Sequence, residues 1–174
     1  MRRIVSVPLS VKGIDQMIEA VDQYRRWLLE KSEQLVERLA GEGFQIASAK
    51  FTQAAYDGTN DTAVSVESRG TGVQAVVAVG ASTLFIEFGT GVTYPDNHPE
   101  AATNGMARGS YGKGRGKQQS WGYYGDPGTS GRVIRSTEKG ELVITRGNPA
   151  NMPMYETVKE LESRLPGIVR EVFR

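Results

Sequence analysis

The sequence has no cysteine and only one histidine, His98. The first absence excludes disulfide scaffolds, cysteine-ligated zinc, iron–sulfur clusters and thiol catalysis together. The second leaves little to hold a metal, since zinc takes three or four Cys, His or carboxylate donors. Neither metal nor cofactor is expected. Charge of one sign is lacking too: 21 Lys and Arg stand against 20 Asp and Glu, for a formal net charge of +1. A protein that grips nucleic acid over its whole surface is far more basic, so any such contact is confined to a local patch. No apolar run reaches the roughly 18 residues of a membrane span. Met1-Arg2-Arg3-Ile4-Val5-Ser6 lacks the apolar core of a secretory signal. A soluble chain made in a cytoplasm is expected.

The 174 residues suit one domain, at about 150 residues per domain. That length buries roughly two thirds of the unfolded surface without a crosslink. Arg2 to Leu9 reads as a short strand that Pro8 interrupts. Ile14, Met17, Ile18, Val21, Tyr24, Leu28, Leu35 and Leu39 then recur at spacings of three, four and seven, a helical stripe. From Ile14 to Ala40 the helix is about 40 Å long. Gly41 and Gly43 weaken or end it, with resumption at Phe44, Ile46 and Ala47. Such a helix is longer than a small core requires, which suggests that it extends along a neighbouring subunit.

The period then changes. Ala63 to Val66 and Val73 to Val79 are β-rich runs around Ser68-Arg69-Gly70-Thr71-Gly72, a hairpin, and Leu84 to Phe88 reads as a third strand. Residues 89–131 hold more than half of the 21 glycines and read as one long Gly-rich loop. A last hairpin runs from Arg132 to Ser136 and from Glu141 to Arg146. Asn151 is placed to cap a C-terminal helix with Pro153 in its first turn, and Pro166 to kink it. The predicted fold is a single α+β domain over residues 1–174. A long N-terminal helix and a C-terminal helix pack on one face of a mainly antiparallel sheet, and the 89–131 loop is an insertion.

Chemistry-bearing candidates are few. His98 would need an acid and a nucleophile beside it to serve a hydrolase, a weaker option. Gly112-Lys113-Gly114-Arg115-Gly116-Lys117 lacks the Gly-x-x-x-x-Gly-Lys-Ser/Thr spacing of a phosphate loop. Arg108, Lys113, Arg115 and Lys117 crowd together, with no acid between Glu100 and Asp126 and with Tyr111, Trp121, Tyr123 and Tyr124 interleaved. Cation with aromatic is the composition of single-strand nucleic-acid contacts. These four cations are candidates for touching DNA or an acidic partner. In Phe85-Ile86-Glu87-Phe88-Gly89-Thr90-Gly91, a carboxylate among aromatics must be hydrogen-bonded or near a cation if buried. Two roles are open for Glu87: accepting N–H bonds from the glycine turn, or pairing subunits.

The order of these parts resembles the small tail-component family of long-tailed bacteriophages, variously described as tail completion, neck, head–tail joining or minor capsid proteins. The resemblance covers most of the chain. Its sharpest motifs are Glu87-Phe88-Gly89-Thr90-Gly91 and the Pro153-Met154-Tyr155 helix start within Gly147 to Tyr155, with His98-Pro99 and Trp121-Gly122-Tyr123-Tyr124 between them. It implies a structural virion protein without catalytic residues, assembled in the host cytoplasm. Its place would be the neck or tail, as a ring between the portal-connector or head-closure protein and the tail-tube or tail-terminator protein. Tail machinery of sixfold symmetry implies a hexamer. Phe85, Glu87, Phe88, Trp121, Tyr123 and Tyr124 are the candidate oligomer or partner contacts. The 89–131 loop is longer than the connection many relatives carry. The alternative is a nucleic-acid-binding accessory protein that uses the basic-aromatic loop as an arm.

Overall fold

The structure, a computed structural model, describes residues 6–108, 110, 117–129 and 131–174. Its elements in chain order are α1 (Val11–Gln53), β1 (Ala63–Gly70), β2 (Val73–Val79), α2 (Thr83–Phe88), β3 (Trp121–Tyr124), β4 (Arg132–Thr137), β5 (Gly140–Thr145) and α3 (Pro153–Val172). Two helices flank antiparallel strands, the expected α+β class. The strands form two sheets rather than one: β1 with β2, and a three-stranded sheet in the order β3-β5-β4. No helix among the described residues is long and apolar enough to cross a membrane.

Helix α1 starts where Ser10, in extended conformation, accepts the Gly13 N–H on its hydroxyl at 3.1 Å. It then runs unbroken for 43 residues, about 65 Å. The predicted break at Gly41 and Gly43 does not occur. Gly43 is buried, and a Cβ there would lie 3.1 Å from both Leu161 Cδ1 on α3 and Val76 Cγ2 on β2. The missing side chain is what lets α3 and the hairpin close on α1. That packing outweighs the roughly 1 kcal/mol propensity cost of a helical glycine. The predicted N-terminal strand is also absent over Ser6 to Ser10, which lead into α1 without pairing. Arg2 to Val5 lie outside the described residues.

The hairpin forms as expected, with Ala63 opposite Val79 and Val66 opposite Val76, and a bulge between Ser68 and Gly70. The segment read as a third strand is instead the short helix α2. Its start is held from outside: Asp61 accepts the N–H groups of Ala81 and Ser82 at 2.9 Å each, and the Ser82 hydroxyl at 2.5 Å. Thr83, Ile86 and Glu87 are its buried residues, a helical spacing that a six-residue apolar run cannot declare by itself.

The 89–131 segment is not wholly loop. Trp121–Tyr124 form β3 along β5, with Trp121 opposite Thr145 and Tyr123 opposite Val143. Strands β4 and β5 make the expected last hairpin, with a bulge between Val133 and Arg135. Helix α3 packs along α1, reaching Trp27, whose ring meets Phe173 edge-on at 5.9 Å. Phe51, Ile86, Val143 and Ile168 are among the most deeply buried apolar side chains.

Candidate functional site

The two motifs that carry the family resemblance lie side by side. Residues 86–90, the end of α2 and the two residues after it, lie against residues 148–152, with an antiparallel bridge at Thr90 and Asn148. Thr90 and Asn148 exchange backbone bonds at 2.8 and 3.0 Å, the Asn151 N–H reaches the Ile86 carbonyl at 2.9 Å, and the Met152 N–H reaches that of Glu87 at 3.2 Å. Gly89 sits at the crossing with φ 78°, and a Cβ there would fall 2.7 Å from the Ala150 nitrogen. Only glycine fits both the conformation and the approach.

Glu87 is 6% exposed, and its carboxylate caps α3. Oε2 accepts the Met154 N–H at 2.8 Å, and Oε1 accepts the Tyr155 N–H at 3.0 Å. Pro153 opens the helix with no N–H to satisfy, so the carboxylate meets the first two free donors. Negative charge there is further favoured by the helix dipole. Of the two open roles for Glu87, accepting backbone N–H bonds is the observed one, with a changed donor: the start of α3 and not the glycine turn. Its carboxylate is thus satisfied within the chain.

The expected Asn151 cap is likewise replaced. Met152 is the capping residue, at φ 55°. The Asn151 side chain instead accepts the Ala55 N–H at 3.0 Å and donates to the Ala55 carbonyl at 2.9 Å, tying the exit of α1 to the entry of α3. Pro166 lies inside α3 without ending it.

His98 completes the site. It is 6% exposed and stands 3.2 Å from Glu87 Oε1 through Nε2, while its Nδ1 accepts the Glu100 N–H at 3.1 Å. An accepting Nδ1 fixes the tautomer, leaving Nε2–H to donate to Glu87. Phe88, with its ring centroid at 4.3 Å, and Tyr155, at 5.5 Å, enclose the imidazole. Both nitrogens are therefore engaged, Nε2 tying the segment after α2 to Glu87 and Nδ1 bracing that segment at Glu100. No group of three or more possible metal ligands occurs among the described residues.

The remaining aromatic candidates divide by the pleat of β3. Trp121 and Tyr123 are half-buried on the face shared with Val143 and Thr145, whereas Tyr124 points to the other face and is 53% exposed. The Tyr123 hydroxyl donates to the Asp126 carbonyl at 2.8 Å. Burial, then Asp57, Tyr56 and Asp126, push its pKa up to about 12. Phe85 is half-buried on α2 and Phe88 half-buried against His98. Among the cationic candidates, the Arg108 guanidinium donates to the Tyr94 carbonyl and Lys117 is exposed. Lys113 and Arg115 lie outside the described residues.

Two polar clusters had no sequence signal, because their members are far apart in the chain. One is the Asp61 cap on α2, where the hydrogen bonds from the Ser82 hydroxyl, the Ser82 N–H and the Ala81 N–H hold the carboxyl at about 2. The other joins Asp57 to β5 and the motif crossing: Asp57 accepts the Thr145 hydroxyl at 2.7 Å, and its N–H donates to Asn148 Oδ1 at 2.6 Å. Chemically, the site as a whole is a set of clamps around one helix entry. Compared with protein-family models, with curated proteins and with solved structures, the chain matches none.

Proposed function

We propose that this chain is a structural protein of the neck or tail of a long-tailed bacteriophage. It would act in tail completion or head–tail joining as a ring-forming connector between the portal-connector proteins and the tail tube. The observation that carries the reading is the crossing of residues 86–90 with 148–152. The two short motifs on which the resemblance rests form one interlocked unit, closed by Glu87 on α3. Short motifs that met by chance in sequence would have no reason to pair.

The use made of the one histidine agrees with this role: its ring nitrogens are committed to Glu87 and Glu100. Helix α1 also agrees, since it outruns the body it packs on and exposes apolar side chains along its first half, as suits an assembly part. On this reading a hexameric ring meets head-closure protein on one side and tail-tube or terminator protein on the other.

The test is deletion of the gene in the producing phage, with negative-stain imaging of the lysate and of the purified protein with and without its connector neighbour. Unjoined heads and tails, and annular particles of the protein, are the expected result. Virions that mature and inject normally without the protein would overturn the proposal.

A further inference from the structure

Among the described residues, two apolar surfaces are exposed. The first is the N-terminal half of α1. Phe173 at the end of α3 meets Trp27, and the apolar stripe runs on toward the N-terminus through Val21, Ile18 and Ile14. From Leu9 to Leu29, nine large apolar residues are 41–100% exposed. At roughly 100–150 Å² for a fully exposed aliphatic side chain, they present on the order of 500–800 Å². The largest apolar patch of an ordinary monomer is about 300–600 Å².

The second is the outer face of the β1–β2 hairpin. Val76, on the inner face, packs at α1 beside Gly43. Alternation along β2 sends Val73, Ala75, Val77 and Val79 to the opposite face, where Val73 is 52% and Val79 63% exposed. Their cross-strand neighbours Ala63, Ser65 and Glu67 are exposed as well. From Val73 to Val79 there is no charged residue and no proline, so β2 has none of the devices that guard a free edge. A strand apolar on both faces reads as one covered on both.

We propose that the exposed stripe of α1 in one copy seats on the outer face of the hairpin of a second copy. This builds on the ring reading above and names the joint it needs. The area supports a second copy as occupant, because about 800 Å² per partner is what a standard stable interface buries. Pairing unlike surfaces consumes one of each at every contact and repeats head to tail, so a closed ring leaves neither exposed. Pairing α1 with α1 would leave every hairpin bare. The hairpin would then lie between two helices, its own α1 inside and a neighbour's outside.

The full-length protein tests this without interference from native thiols, since it has no cysteine. Sedimentation of the wild type should show reversible self-association. Val21→Asp on the stripe and Val79→Lys on the hairpin should each weaken it at least about tenfold, roughly 1.4 kcal/mol, with melting temperature unchanged. An equimolar mixture of the two variants should recover one joint per pair, a heterodimer, each supplying the surface the other lacks. As a second readout that leaves the apolar surface nearly intact, Ile18→Cys protein oxidised with Val79→Cys protein should give a mixed disulfide in preference to either homodimer. A wild type that stays monomeric at several hundred micromolar, roughly a thousandfold above a tight interface Kd, overturns the inference. So does a Val79→Lys protein that associates normally while Ile18→Cys crosslinks to itself. Neither result decides the virion role, which gene deletion tests separately.

Discussion

The Glu87 carboxylate accepts the backbone N–H of Met154 at 2.8 Å, so a side chain from one motif caps the helix that the other motif opens. With Tyr155 and His98 on Oε1, this buried anion holds three parts of the chain together: α2, the segment after it and α3. The cost of disturbing it follows from what each substitution leaves unpaired.

Replacing Glu87 with Ala frees two part-buried helix N–H donors and the His98 Nε2–H. The expected loss is about 3 kcal/mol. Glu87→Gln keeps one carbonyl acceptor but sets an NH2 group against donors, at about 1–2 kcal/mol. Urea denaturation of both variants checks the order. Equal stability of wild type and Glu87→Ala would remove the capping role.

Asp61 gives a pH test with a defined sign. Hydrogen bonds from Ser82 and Ala81 lower its pKa from 3.8 to about 2. A carboxylate depressed by folding adds stability that is complete above the unfolded value and is lost as pH falls from about 4 through 2. Thermal melts between pH 5 and pH 2 should therefore steepen in that window. Asp61→Asn should flatten the descent, because an amide does not titrate there.

Tyr123 behaves oppositely. Its pKa is raised from 10.0 to about 12, first by burial and then by Asp57, so folding favours the neutral phenol. That contribution is whole below pH 10 and is lost as pH rises toward 12. Burial, Asp61 and Asp57 also raise the Tyr56 pKa, so ultraviolet difference titration should show late-ionising tyrosines, and Tyr123→Phe should remove one of them while the earlier steps stay.

Gly41 and Gly43 stand two residues apart in α1 with opposite surroundings. Nothing lies within 4 Å of a Cβ at Gly41, whereas one at Gly43 meets Leu161 and Val76 at 3.1 Å. Gly41→Ala should stabilise by about 0.5–1 kcal/mol through helix propensity alone. Gly43→Ala should fall short of that gain or reverse it, because α3 and β2 must shift to admit the methyl group. Melting temperatures of the two single variants decide it.

The sequence by itself determined what depends on neighbours a few residues away. The 3.6-residue stripe of α1, the alternation and glycine turn of the first hairpin, the last hairpin and the Pro153 start of α3 were all legible, because each follows from local periodicity or backbone chemistry. Tertiary structure decided the rest. Leu84 to Phe88 became helix with its start held by Asp61, some twenty residues upstream, and α1 passed through Gly41 and Gly43 with α3 and β2 closing on it at Gly43. Trp121–Tyr124 became a strand because β5 offers it an edge. Glu87 went inward because the free donors that match its carboxylate belong to a helix that begins 66 residues later. Such pairings are set by which distant groups remain unsatisfied once the chain is compact, and a run of residues carries no record of them.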